Sequence, residues 1–167
     1  MAKILTLGFD SRSFARLAAE RERHFPPARN FIPVHVTLFQ QLADSAHLRL
    51  LADLAAEAST IRALTFEATG IMDFGGGAAI EVACPPAREL QARLRRRWSN
   101  ILTPGDDRPR RLHVTVQNKV DRETARKTQA ALRAGFTPWQ GLFDRLLLWH
   151  YRGGPWEPAG TFPLTGE

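Results

Sequence analysis

The sequence predicts one domain of mixed α and β structure made of two similar halves, about residues 1–75 and 76–167. Three observations carry this. The segments VHVTLFQ (34–40) and LHVTVQN (112–118) write His-Val-Thr twice in an alternating apolar setting, His35 and His113 standing 78 residues apart. The chain around each copy repeats one order: strand, helix, His-x-Thr strand, helix, strand. The composition is that of a globular chain, 167 residues with 44% hydrophobic and 24% charged, long enough to bury a core.

In the first half, KILTLGF (3–9) reads as a strand. Asp10 or Ser11 caps a helix over about 12–24, with Phe14, Leu17 and Ala18 on one face, and Pro26 and Pro27 end it. The strand PVHVTLFQ follows. Asp44 and Ser45 open a helix to about 58, with Leu48, Leu51 and Leu54 inward. Residues 62–73 form the next strand, and the glycines at 75–77 a turn.

In the second half, AAIEVAC (78–84) is a strand, and Pro85 and Pro86 stand where helices begin. Leu90, Leu94, Trp98 and Ile101 form one buried stripe, with Arg93, Arg96 and Arg97 opposite. The loop TPGDDRPRR leads to LHVTVQNK, and Asp121 caps a helix over about 122–134. GLFDRLLLWHY and WEPAGTFPL close the chain as two strands joined at Gly153 and Gly154.

The formal net charge is +6, mostly from arginine. An excess of that size favours anionic partners, nucleic acid among them, and also fits a solvated basic surface. Cys84 stands alone, which removes a disulfide framework and a cysteine-based metal site. No apolar run would cross a bilayer, and MAKILTLGFD is too quickly polar for a signal peptide. These features favour the cytoplasm.

Alternation along a strand sends neighbouring side chains to opposite faces. Ile32, Val34, Val36 and Leu38 then face the core, with His35, Thr37 and Phe39 opposite. Likewise Leu112, Val114 and Val116 face inward, with His113, Thr115 and Gln117 opposite. If the halves pair about a pseudo-two-fold axis, the polar faces meet across one cleft. His35 and His113 are expected on adjacent central strands, on the same wall of that groove. Two imidazoles suit phosphodiester chemistry without a metal: one takes a proton from the nucleophile and the other gives one to the leaving oxygen. Two threonine hydroxyls can donate to the non-bridging phosphate oxygens, each worth about 2–4 kcal/mol in the transition state. A single His-x-Thr carries little weight; two in matched surroundings carry much more. His24 at a helix end, His47 in a solvated first turn and His150 on an apolar strand face read as structural. No ligand pattern for a metal is present.

The pair HVTL (35–38) and HVTV (113–116), with the approach FPPARNFIPVHVTLF, resembles the 2H phosphoesterases, the superfamily of 2′-5′ RNA ligase-like proteins and cyclic nucleotide phosphodiesterases. The resemblance spans nearly the whole chain. It implies an α+β, bilobal fold with two antiparallel sheets and outer helices around a central groove. It implies metal-independent action, with no cofactor, on RNA or nucleotides carrying a 2′,3′-cyclic phosphate or a 2′-5′ linkage. His35 and His113 would be the acid–base pair, and Thr37 and Thr115 the phosphate donors. Phe39, Gln117 and Tyr151 are the candidate substrate contacts, and the protein is expected to act as a monomer. The rival reading is a non-catalytic RNA-binding module, with Arg93, Arg96, Arg97, Arg108, Arg110 and Arg111 as its charge and Phe39, Trp149 and Tyr151 as stacking platforms.

Overall fold

A computed structural model describes residues 1–167. The first half runs β1 (Ala2–Phe9), α1 (Ser11–His24), β2 (Val36–Ala43), α2 (His47–Thr60) and β3 (Leu64–Asp73). The second runs β4 (Ala78–Ala83), α3 (Pro85–Arg97), β5 (His113–Gln117), α4 (Arg122–Gly135) and β6 (Trp139–Tyr151), and β7 (Glu157–Pro163) closes the chain. The Asp10 carboxylate accepts from the Ser13 amide at 3.0 Å, and Asp121 from that of Thr124 at 2.8 Å, so both predicted caps form. Asp44 does not cap α2; a 3-10 turn intervenes at Asp44–Ala46, and the Asp44 carboxylate pairs with the buried Lys3. The inward stripe of α2 is Leu50, Leu54 and Ala58, which leaves Leu48 exposed, and Phe14 on α1 is also exposed. On α3, Leu90 and Leu94 are fully buried, as is Trp98 just past the helix end.

All strands join one antiparallel sheet in the order β2-β1-β6-β3-β4-β5, with β7 also on β6. The resemblance implies two sheets, and the thirteen-residue β6 unites them. Residues 139–143 run beside β3, and 143–151 beside β1, while β7 takes the other edge of that second stretch. At about 3.3 Å per residue such a strand reaches across both lobes.

The topology corrects a second expectation. β2 and β5, which carry the motifs, are not adjacent central strands but the two ends of the sheet. They face one another because the sheet curls, twist accumulating along it. The helices cross between halves to support this closure. α1 packs on β5, and Trp98 at the end of α3 meets Phe39 of β2 edge-on at 5.4 Å. One continuous apolar core joins residues of both halves. No helix is long and apolar enough to cross a membrane.

Candidate active site

β2 and β5 present their motifs in the same way. Val36 and Val114 are fully buried, while Thr37 and Thr115 are turned the other way and half-buried. After each threonine the ladder skips one residue. Thr37 pairs with Thr6 and Phe39 with Leu5, leaving Leu38 unmatched. Thr115 pairs with Ala79 and Gln117 with Ala78, leaving Val116 unmatched. An extra residue of this kind resets the alternation of faces. Phe39 and Gln117, expected in the groove, therefore turn inward. Phe39 is 0% exposed and Gln117 3%, and the Gln117 Nε2 donates to the Thr128 hydroxyl of α4 at 2.8 Å. Neither side chain lines the cavity.

The other five expected site residues converge. His35, Thr37, His113, Thr115 and Tyr151 line one cavity of about 890 Å³, together with Gln40, Gln41, Thr103, Phe74, Arg152 and Trp156. Tyr151 is 40% exposed, so its ring is open to a ligand. Sequence reasoning missed Phe74 and Trp156. The His35 ring lies 4.7 Å from that of Trp156, and the His113 ring 5.2 Å from that of Phe74. Each aromatic sits by a glycine-rich turn, Gly75–Gly77 or Gly153–Gly154, and an aromatic at a tight turn was the available signal.

The two imidazoles are held alike. The Nδ1 of His35 lies 2.7 Å from the Pro33 carbonyl, and that of His113 lies 3.0 Å from the Arg111 carbonyl. A carbonyl only accepts, so each Nδ1 carries the hydrogen and each Nε2 is left for the groove. Their titration differs. Burial pushes His35 down to about 4, against the opposing Pro33 bond, and the charges of Arg21 and His113 act in the same direction as burial. His113 is also lowered, first by burial and then by Arg110 and Arg111, with the Arg111 carbonyl bond opposing.

The remaining histidines stay outside this cavity. His150 Nδ1 is 3.3 Å from Lys3 Nζ, and its ring stacks on His47 at 5.8 Å, so His47 is half-buried rather than solvated. His24 lies 3.5 Å from Glu20. The arginine face of α3 and the following loop is interleaved with carboxylates. Arg93 is 3.2 Å from Glu57, Arg97 3.8 Å from Asp53, Arg110 3.6 Å from Asp106, and Arg111 pairs with Glu81.

A curled antiparallel sheet whose two end strands each turn a histidine and a threonine into one cleft defines a class of two-lobed α+β proteins with one motif per lobe. Residues 9–155 match the model of the 2′-5′ RNA ligase superfamily. The chain belongs to that family, the 2H phosphoesterases that its paired motifs resemble. Among solved structures it is similar to TT0787 of Thermus thermophilus, at 17% identity and a TM-score of 0.67 over 100% of both chains. It is similar to E. coli LigT complexed with 3′-AMP, at 17% identity and a TM-score of 0.63 over 98% of both. A further structure described as a phosphoesterase gives 17% and 0.60, again over 98% of both. At such identities the likeness concerns the fold. No curated protein matches the chain in sequence.

Proposed function

We propose that this chain is a metal-independent phosphoesterase acting on a 2′,3′-cyclic phosphate or a 2′-5′ linkage in RNA or a nucleotide. It acts as a single domain of two related halves, a monomer in the cytoplasm. The observation that carries the reading is the matched pair of imidazoles, each with Nδ1 tied to a carbonyl two residues upstream and Nε2 free toward one cavity. E. coli LigT has structures with 3′-AMP, NADP+ and ATP, which supports a nucleotide as the class of ligand.

The two titrations divide the labour. His35, pushed to about 4, is neutral near physiological pH and serves as general base. Its Nε2 takes a proton from water as the water oxygen bonds to phosphorus. His113, lowered less far, protonates the leaving ribose oxygen as the old P–O bond breaks. An anionic phosphodiester in the cleft favours the protonated form of His113 once substrate is bound. The Thr37 and Thr115 hydroxyls donate to the non-bridging oxygens, where charge grows. Proton transfer and hydroxyl donors supply this scheme, so no step calls for a metal.

The test is turnover of 2′,3′-cyclic nucleotides and 2′-5′ dinucleotides by purified protein in excess chelator. The reading expects turnover of at least one. RNA binding without turnover of any would instead support the binding module. The carboxylate-paired arginines count against that rival, because four of its six cations are already engaged.

A further inference from the structure

β2 and β5 are the opposite ends of the sheet, and no ladder hydrogen bond joins them. Yet the chemistry proposed above needs both histidines at one phosphate, and catalytic geometry tolerates little play. We propose that Arg21 and Asp106 are positioning residues, a crossed pair of clamps that fix the separation of the two motif strands. The inference rests on the phosphoesterase reading for its kinetic consequence, but not for its geometry.

Arg21 lies in the last turn of α1, in the first half, and is only 6% exposed. Its Nη1 donates to the Thr115 carbonyl of β5 at 2.9 Å, and its Nε to Asn30 Oδ1 at 2.8 Å. Its guanidinium carbon lies 3.9 Å from the centre of the Phe25 ring. These partners are a carbonyl, an amide oxygen and a ring, with no carboxylate to balance the charge. Burying a guanidinium on such terms is costly. The cost secures a specific point: Thr115 is the last residue before the skipped Val116, so its carbonyl fixes the stretch that aims both His113 and Thr115.

Asp106 does the reverse. It lies beyond α3, in the second half, and is 4% exposed. Its carboxylate accepts from the Gln40 amide at 2.9 and 3.1 Å and from the Gln41 amide at 2.8 Å. These successive amides belong to β2, where its ladder with β1 shifts register again between Phe39 and Leu42. Gln40 and Gln41 line the cavity. Asp106 is thus the partner that an end strand otherwise lacks. Each clamp suits its target: a cation holds a carbonyl on β5, and an anion holds amides on β2. Each also crosses from one half to the motif strand of the other.

The test uses the full chain with spin labels on Leu48→Cys in α2 and Lys127→Cys in α4, both exposed positions in different halves. Cys84 is buried and is left in place. Pulsed dipolar spectroscopy gives the distance distribution, and kinetics are read on the same phosphodiester for unlabelled Arg21→Gln, Arg21→Lys and Asp106→Asn. Lysine keeps the charge but cannot reach both Thr115 and Asn30 as a guanidinium does. The clamps predict a broadened distribution in each variant. They also predict kcat reduced about tenfold or more, with KM within about twofold. A residue that only stabilises the fold would lower the melting midpoint and leave kcat of the folded fraction intact. Unchanged kcat in the conservative variants, Arg21→Lys and Asp106→Asn, with unchanged distances, overturns the proposal. Broadened distances with unchanged kcat overturn the positioning role. Should the unsubstituted protein turn over no phosphodiester, the functional reading falls, and the distance distributions alone decide whether the clamps exist.

Discussion

β2 and β5 carry the same motif in the same shape, and their histidines sit in different electrostatic settings. Both strands end the sheet, both skip a residue after the threonine, and both tie Nδ1 to a carbonyl two residues back. Both imidazoles also lie against an aromatic ring. The difference is burial and charge: His35 is driven to about 4, whereas His113 is lowered without so large a shift. Repetition places two similarly held imidazoles in one cleft, and in the proposed mechanism their unequal surroundings let one act as base and the other as acid. Phosphoryl transfer needs opposite protonation states in one turnover, which a perfectly symmetric pair would not favour.

The most severe way to break the comparison is to delete one member. His35→Ala and His113→Ala should each lower turnover of a 2′,3′-cyclic nucleotide by about 10²-fold or more, with the fold kept by circular dichroism. Near-unchanged turnover in either would remove that histidine from the mechanism. Thr37→Val and Thr115→Val keep shape and delete a donor. Each should cost about 30-fold or more in kcat, the loss of a donor worth about 2 kcal/mol or more, with the pH dependence unmoved, because a hydroxyl does not titrate in this range. Unequal losses would show which hydroxyl meets the more charged oxygen.

A gentler change sharpens the contrast. Trp156→Leu opens the His35 ring to water, and Phe74→Leu does the same for His113. Relief of desolvation raises an imidazole pKa toward its usual value. The first variant should move the acid limb of the rate profile up in pH and the second the alkaline limb, each with only a few-fold loss of rate. The smallest effect on turnover belongs to the inward-turned pair. Phe39→Ala should cost about 3–5 kcal/mol of stability by leaving a cavity beside Trp98. Turnover per folded molecule should stay within about twofold for both Phe39→Ala and Gln117→Ala. A large catalytic loss with intact stability would place either side chain back at the substrate.

Much of this was legible in the sequence. The element order, the caps at Asp10 and Asp121 and the α3 stripe as far as Leu90, Leu94 and Trp98 follow from local patterns, and the structure keeps them, whereas Ile101 lies past the helix end, half-buried at the cavity. The convergence of His35, Thr37, His113 and Thr115 followed from the repeat. Phe39 and Gln117 were misplaced because strict alternation has no way to register a skipped Leu38 or Val116. The single sheet and its end strands depend on non-local pairing through β6, which no local window contains. Leu48 looked inward because three leucines at near-helical spacing can be phased two ways, and packing chose Leu50 and Leu54. The ion pairing of the arginine face likewise depends on acids remote in sequence, such as Asp53 and Glu57.

The division of labour between the two imidazoles is tested most directly by kcat/KM against pH on a 2′,3′-cyclic nucleotide, since that ratio reports the free enzyme. The rate should rise as His35 loses its proton, through a limb near pH 4. It should fall as His113 loses the proton it must donate, through a limb below the ordinary histidine value of 6.5. The account therefore predicts a bell with its maximum between those limits, on the acid side of neutrality. A profile that climbs steadily through pH 7, with no descending limb, would contradict it.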